Sequence, residues 1–264
     1  MIPKIIHYCW FGRGEMPELA KKCIKSWKQY CPDYEIREWN EDNFDLDYCP
    51  YVREAYDNKS YAFVTDVVRL YALYNEGGIY MDTDVELIKS IDTLLKYDGL
   101  MGYETSDRIS TALIACRKQL PIIKSFLDDY KDNHFVLDDG TFDIQTNVTR
   151  ITEKCRQFGM QPNGEYQDID GLIILPVDFL CPKDYKTKEI HITKNTLCIH
   201  HFGESWHTPE MEWGRKIRKR FSSIPGIYYF VLIVGSLKFH GLNFTINLIK
   251  VRCRRKFGMF KSLL

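Results

Sequence analysis

The chain has 264 residues, enough to bury the core of one large domain with a small appendage. Hydrophobic residues at 45% and charged residues at 27% give the composition of a soluble globular protein. Nine scattered cysteines without a Cys-x-x-Cys pair argue against a disulfide framework and against a structural zinc site, and read as small buried hydrophobes in a reducing compartment. The opening Met1-Ile2-Pro3-Lys4 lacks signal-peptide architecture, so a cytoplasmic location is expected.

In chain order, residues 4–8 read as a first buried strand and 17–30 as a helix with proline in its first turn. Alternation predicts a strand over 34–39. Residues 60–75 read as one helix, with Ser60 as N-cap, Gly77-Gly78 as the stop, and a core stripe of Phe63, Val67, Leu70 and Tyr74. A short apolar strand at Ile79 follows, then a strand pair at 99–104 and 111–116. Helices are expected over 121–130 and 142–156, and late strands over 172–175 and 197–201. Strands alternating with helices predict an α/β sandwich with a largely parallel sheet. Ligands in such sheets sit at the carboxyl ends of strands, where Asp82 falls.

Zero net charge hides an asymmetry. Residues 212–264 hold twelve Lys/Arg and one acid, Glu212, a net of +11; the remaining 211 residues hold 24 basic and 35 acidic side chains, a net of −11. The eight-residue apolar run 227–234 is too short to span a bilayer, which needs about 20 residues. Phe239, Leu242, Phe244, Ile246, Leu248 and Ile249 add apolar surface before a second basic cluster at Lys250, Arg252, Arg254, Arg255 and Lys256. This pattern predicts a helical appendage over 209–264 that lies on an anionic membrane surface. The alternative is a helix pair packed on the domain with its basic face solvated. Nucleic acid is not expected, because the basic residues flank apolar runs rather than interleave with polar ones.

Asp82 and Asp84 are one residue apart and share a side if the strand continues, or converge if it bends. Two convergent carboxylates suit Mg²⁺ or Mn²⁺ with positions left for phosphate oxygens. Asp66 and Arg69 share a helix face; locally they read either as a surface ion pair or as groups pointing into a cleft.

Ala62-Phe63-Val64-Thr65-Asp66-Val67-Val68-Arg69-Leu70 and Gly77-Gly78-Ile79-Tyr80-Met81-Asp82-Thr83-Asp84 together resemble the signature of glycosyltransferases with the DXD sugar-binding motif. That family includes the fungal initiating α-1,6-mannosyltransferase and bacterial capsule and lipid glycosyltransferases, with the large glucosylating toxins as distant relatives. Ile2 to Gly12 resembles the family's opening strand, and His200-His201-Phe202-Gly203-Glu204-Ser205-Trp206 its closing segment. The resemblance spans residues 2 to about 206 and leaves the tail uncovered. It implies a nucleotide-sugar-binding fold of the GT-A type, a Rossmann-like mixed sheet flanked by helices, over residues 1–208.

By the same resemblance, Asp82 and Asp84 hold a metal–diphosphate, Asp84 directly, and Tyr80 borders the donor site. Asp66 and Arg69 hold the sugar hydroxyls and diphosphate. Trp10 stacks on the nucleobase, or else is a core tryptophan; His7, by its place in the strand rather than by the resemblance, reads as a structural histidine and not a ligand. His200 or His201 completes the metal site, with Glu204 as a rival. Ser205 and Trp206 close over the diphosphate, and the catalytic set is Asp66, Arg69, Asp84 and Trp206. Gln145, Thr146 and Asn147 at a helix start face the transferred sugar or cap the helix, and Glu104 and Asp107 orient the acceptor or are solvated.

The expected activity is metal-dependent, configuration-retaining hexosyl transfer to a lipid or lipid-linked glycan at the inner face of a membrane. A UDP-hexose donor, first UDP-galactose, is preferred to GDP-mannose. An Asp-x-Asp phosphohydrolase is the enzymatic alternative, although Glu86 stands where that class places Thr or Val. A catalytically silent scaffold binding sugar nucleotide or membrane is the third.

Overall fold

The structure, a computed structural model, describes residues 1–203 and, beyond them, residues 213–214, 216–217, 220–221, 226–227, 230–231, 233–239, 241–242 and 245. The chain divides into two compact units, one of Met1–His134 with Ile144–Gly203, the other of Phe135–Asp143 with Glu204–Leu264.

The first unit is built on β1 (Ile5–Cys9), α1 (Glu18–Tyr30), β2 (Glu35–Trp39), α2 (Pro50–Asp57), α3 (Tyr61–Glu76), β3 (Gly78–Met81) and β4 (Val85–Leu87). It continues through β5 (Gly99–Thr105), β6 (Arg108–Cys116), α4 (Pro121–Asp128), α5 (Asn147–Gln157), β7 (Gln167–Ile169), β8 (Leu172–Leu175), α6 (Val177–Leu180) and β9 (Cys198–His200). Seven strands form one sheet in the order β2-β1-β3-β6-β5-β8-β7, and β4 pairs with β9 in a separate ribbon.

The α/β class and the mixed sheet flanked by helices are as the resemblance implies, whereas strand–helix alternation alone predicts a largely parallel sheet. β1 runs parallel to β2 and β3, and β5 to β8, whereas β6 is antiparallel to both its neighbours and β7 to β8. The reason is local. Only two residues separate β5 from β6, too few for the crossover that a parallel pair requires.

α3 and β3 form the axis of the sheet's central region. Their strong apolar content buries Val64, Val67, Val68, Leu70, Leu73, Ile79 and Met81 completely. Gly77 and Gly78 join them with positive φ angles of 71° and 106°. A Cβ on Gly78 would stand 2.7 Å from the Ile5 carbonyl oxygen, so glycine is required both by conformation and by close approach of β1. Ser60 occupies the N-cap position, yet its hydroxyl donates to the Asn58 carbonyl and does not cap the helix.

The helix expected over 142–156 begins only at Asn147. Thr146 is its N-cap, with its hydroxyl accepting from the Thr149 N–H, while Phe142 bridges to Val136 in an extended pair. All eight cysteines among the described residues are buried free thiols. Among these residues, no helix is long and apolar enough to cross a membrane.

His7 is fully buried in β1. Its Nδ1 accepts from the Trp39 indole N–H at 3.1 Å, so Nε2 carries the proton given to the Gly77 carbonyl at 2.8 Å. It is a structural histidine, as expected. Burial, aided by Arg37, lowers its pKa from 6.5 to about 4, against the opposing Gly77 bond and Glu35. The unfolded chain therefore binds the extra proton first. Stability is complete above pH 6.5 and is lost, by about 3 kcal/mol, as pH falls from 6.5 to 4. Urea titrations between those pH values should show this slope in the wild type and a flatter one in His7→Gln.

Candidate metal and donor site

The backbone bends immediately after β3. Asp82 N–H still donates to the Ala112 carbonyl of β6 at 2.8 Å, and Val85 N–H closes a turn onto the Asp82 carbonyl at 3.0 Å. The two aspartates therefore converge across a bend. β4 then pairs antiparallel with β9, placing Val85 opposite His200. Trp27 of α1 donates its indole N–H to the Val85 carbonyl at 2.7 Å and fixes this ribbon from behind.

His200 Nε2 lies 3.5 Å from Asp84 Oδ2, and the Gly203 N–H donates to the same oxygen at 2.7 Å. One potential ligand atom each from Asp82, Asp84 and His200 fall within 4.8 Å of one another. His200 Nδ1 is buried without a hydrogen-bond partner among the described residues. Two carboxylates and one imidazole converging on a small volume fit a divalent cation. Bound there, the cation would neutralise phosphate charge beside Asp84.

Beneath this set lies Arg69, 5% exposed. Its guanidinium meets Asp66 Oδ1 at 3.0 Å and Asp82 Oδ1 at 3.1 Å, and donates to the Thr111 carbonyl at 2.8 Å and the Thr65 carbonyl and hydroxyl at 3.2 Å. Its centre stands 4.5 Å from the Tyr80 ring, and the Tyr80 hydroxyl donates to Asp82 Oδ1 at 2.8 Å. Burial raises the Asp66 pKa to about 6, with Arg69 opposing and Asp82 reinforcing the rise. Burial likewise raises Asp82 against the pull of Arg69. For Asp84, burial is outweighed by His200 and the Gly203 N–H, and the pKa falls. Burial opposes protonation of His200, but Asp84 carries its pKa upward. Asp84 and His200 thus form an ion pair, and a cation binding there would take the place of the His200 proton.

Several expected contacts take a different form. Arg69 has its donors engaged by protein groups, so it braces Asp66 and Asp82 rather than reaching outward. Tyr80 is 2% exposed and acts on Asp82 from below, not on a donor's surface. His201 points away from the aspartates, as alternation along a strand requires, and its Nε2 meets Glu86 at 2.7 Å beside Lys22. Asn147 is buried, accepting from Tyr130 at 3.3 Å and donating to the Asp66 carbonyl at 3.5 Å, so it ties α5 to α3. Gln145 lies apart, with Asp129, Arg150, Glu153, Lys154 and Gln157 around a separate polar hollow.

Trp10 sits just past β1, half-buried, with its indole N–H on the Gly14 carbonyl at 2.7 Å. Glu104 is half-buried near the end of β5, and its carboxyl pKa is raised by burial, against His200 and Arg108, with Asp82 adding to the rise. Asp107 accepts from the Thr105 hydroxyl at 2.8 Å in the β5–β6 turn. Glu204, Ser205 and Trp206 lie outside the described residues. Gly203 joins the site through its backbone N–H, which leaves no side-chain signal in the sequence.

Removing the buried cation should be costly. Arg69→Leu leaves Asp66 and Asp82 uncompensated and should lose about 3–5 kcal/mol in urea unfolding. Arg69→Lys should recover part of this, because one ammonium cannot reproduce the guanidinium fork.

The chain is similar to known proteins. Residues 17–100 match the family described as the glycosyltransferase sugar-binding region containing DXD motif. The chain is 37% identical over 218 residues to inositol phosphoceramide mannosyltransferase 2 of Schizosaccharomyces pombe, covering 78% of this chain and 59% of the relative. It is 35% identical over 127 residues to inositol phosphoceramide mannosyltransferase 3 of the same organism, covering 46% of this chain and 35% of the relative. The chain thus spans between about a third and three-fifths of these curated relatives' lengths. Among solved structures, the PaToxG glycosyltransferase is similar at 20% identity and a TM-score of 0.45, over 59% of this chain and 68% of that one. Residues 17–100, which hold Asp66, Arg69, Asp82 and Asp84, thus match the glycosyltransferase sugar-binding region that contains a DXD motif.

Proposed function

We propose that the protein transfers a hexose from a nucleotide sugar to a hydroxyl of a lipid or lipid-linked glycan, with a divalent cation at Asp82, Asp84 and His200. The convergence of those three side chains within 4.8 Å carries the reading. A mixed oxygen and nitrogen donor set favours Mn²⁺ over Mg²⁺, which prefers oxygen ligands. The cation supplies charge neutralisation for the departing diphosphate. The chain's own contribution is to hold the Asp82 carboxylate by Arg69 and Tyr80, and the Asp84 carboxylate by Gly203 and His200. With Asp82 Oδ1 accepting from two donors, its carboxylate serves as a fixed ligand, which disfavours the phosphohydrolase reading, where it would attack.

For the donor, the names of the S. pombe relatives support mannose and an inositol phosphoceramide acceptor. The UDP-galactose expected from the sequence is the competing donor. Retention of anomeric configuration, through front-side attack with the leaving phosphate taking the proton, is part of the proposal, as is a place at the inner face of a membrane.

A thermal-shift panel of GDP-mannose, UDP-galactose, UDP-glucose and dTDP-glucose, with and without Mn²⁺, tests the reading by mass action. One donor should stabilise the protein only with Mn²⁺, by about 2.7 kcal/mol at a hundredfold excess over Kd, and the effect should vanish in Asp84→Ala. Absence of any Mn²⁺-dependent shift contradicts the proposal. A hexosylated phosphoinositol sphingolipid from the stabilising donor names the acceptor, and its anomeric proton coupling reports retention.

A further inference from the structure

We propose that one helical face in the second unit, formed by Phe230, Ile233 and Leu237, is an interfacial surface for an anionic lipid membrane. This deepens the reading of the chain as an enzyme with a lipid acceptor, and rests on it for its biological sense.

The observation is an inverted distribution of side chains. Residues 227, 230–231 and 233–239 are helical. At 100° per residue, Phe230, Ile233 and Leu237 fall on one stripe at i, i+3 and i+7. They are 53%, 37% and 41% exposed. The opposite side, covered within the structure, carries Val231, Gly235 and Ser236. Ser236 even spends its hydroxyl on Thr245 at 2.9 Å. A helix seated on a water-soluble body places its large apolar residues on the covered side. Here they face outward.

The charge around the stripe identifies the occupant. Lys238 flanks it and is exposed, with its ammonium 5.3 Å from the Trp213 ring and 5.1 Å from the Phe239 ring. Lys216 and Arg220 are exposed, and Arg220 lies over Phe221 at 5.6 Å. Aromatic rings topped by cations suit the boundary between acyl chains and headgroups. Twelve basic residues against one acid over 212–264 suit an anionic headgroup layer rather than a neutral one. An apolar partner protein would need no such charge, and a second copy of this basic segment would be repelled by it.

The full chain should co-sediment with vesicles of phosphatidylcholine containing phosphatidylglycerol, and weaken as salt is raised. Pure phosphatidylcholine vesicles should bind roughly tenfold less. Phe230→Ser/Ile233→Ser/Leu237→Ser should lose roughly tenfold in binding to the anionic vesicles, with its Mn²⁺-dependent donor shift unchanged. Should that variant misfold, Lys216→Glu/Arg220→Glu supplies the same test and should lower anionic binding alone. Wild-type binding by both variants, salt-insensitive binding to neutral vesicles, or a concentration-dependent dimer that the triple variant disperses would each overturn the proposal. Vesicle binding of the predicted pattern without any donor shift would instead sink the enzymatic reading and leave the face standing.

Discussion

A single buried cation organises this protein's candidate site. Arg69 comes from the middle of α3, yet its guanidinium reaches two carboxylates, a tyrosine ring and a carbonyl on β6. An arginine at 5% exposure is tolerable only with its charge and donors satisfied. Asp66, Asp82, Thr65 and Thr111 supply that satisfaction, and each is thereby fixed relative to the others. The bend after β3 then follows: Asp82 is pinned to Arg69 and Tyr80, Asp84 swings to β9, and His200 meets it. Placing carboxylates over a buried guanidinium keeps acidic groups ionisable in a water-poor spot, which is what a site for a cation and a diphosphate demands.

The glycine pair that links α3 to β3 makes this arrangement possible. β1 passes within a Cβ's reach of Gly78, so His7 can bond to the Gly77 carbonyl and lock the parallel β1–β3 pairing. Helix, turn and strand are contiguous in sequence, and so are legible there: the stripe of Phe63, Val67 and Leu70, the Gly-Gly stop and the two aspartates together locate the site. The resemblance to DXD glycosyltransferases lay in the same stretch, and residues 17–100 match that family.

What was not legible depended on distant pairing. β4 and β9 are three residues each and lie more than a hundred residues apart, with no alternation long enough to read. Which of His200 and His201 joins the aspartates is set by that pairing alone. The direction of β6 also escaped the alternation rule, because a tight turn, not a helix, precedes it. Polar residues near the start of α5 carried two meanings in the sequence, contact or cap. Packing assigned them separately: Thr146 caps, Asn147 is buried against α3 and Gln145 is turned toward Glu153.

The structural claim on which the chemistry rests is that Asp82, Asp84 and His200 share one cation. Electron spin echo spectroscopy of the protein titrated with Mn²⁺ tests it without substrate or turnover. One Mn²⁺ should bind per chain, with a nitrogen modulation from the imidazole that is absent in His200→Asn and retained in His201→Asn. Stoichiometric binding without nitrogen modulation, or modulation lost in His201→Asn instead, would contradict the assigned ligand set.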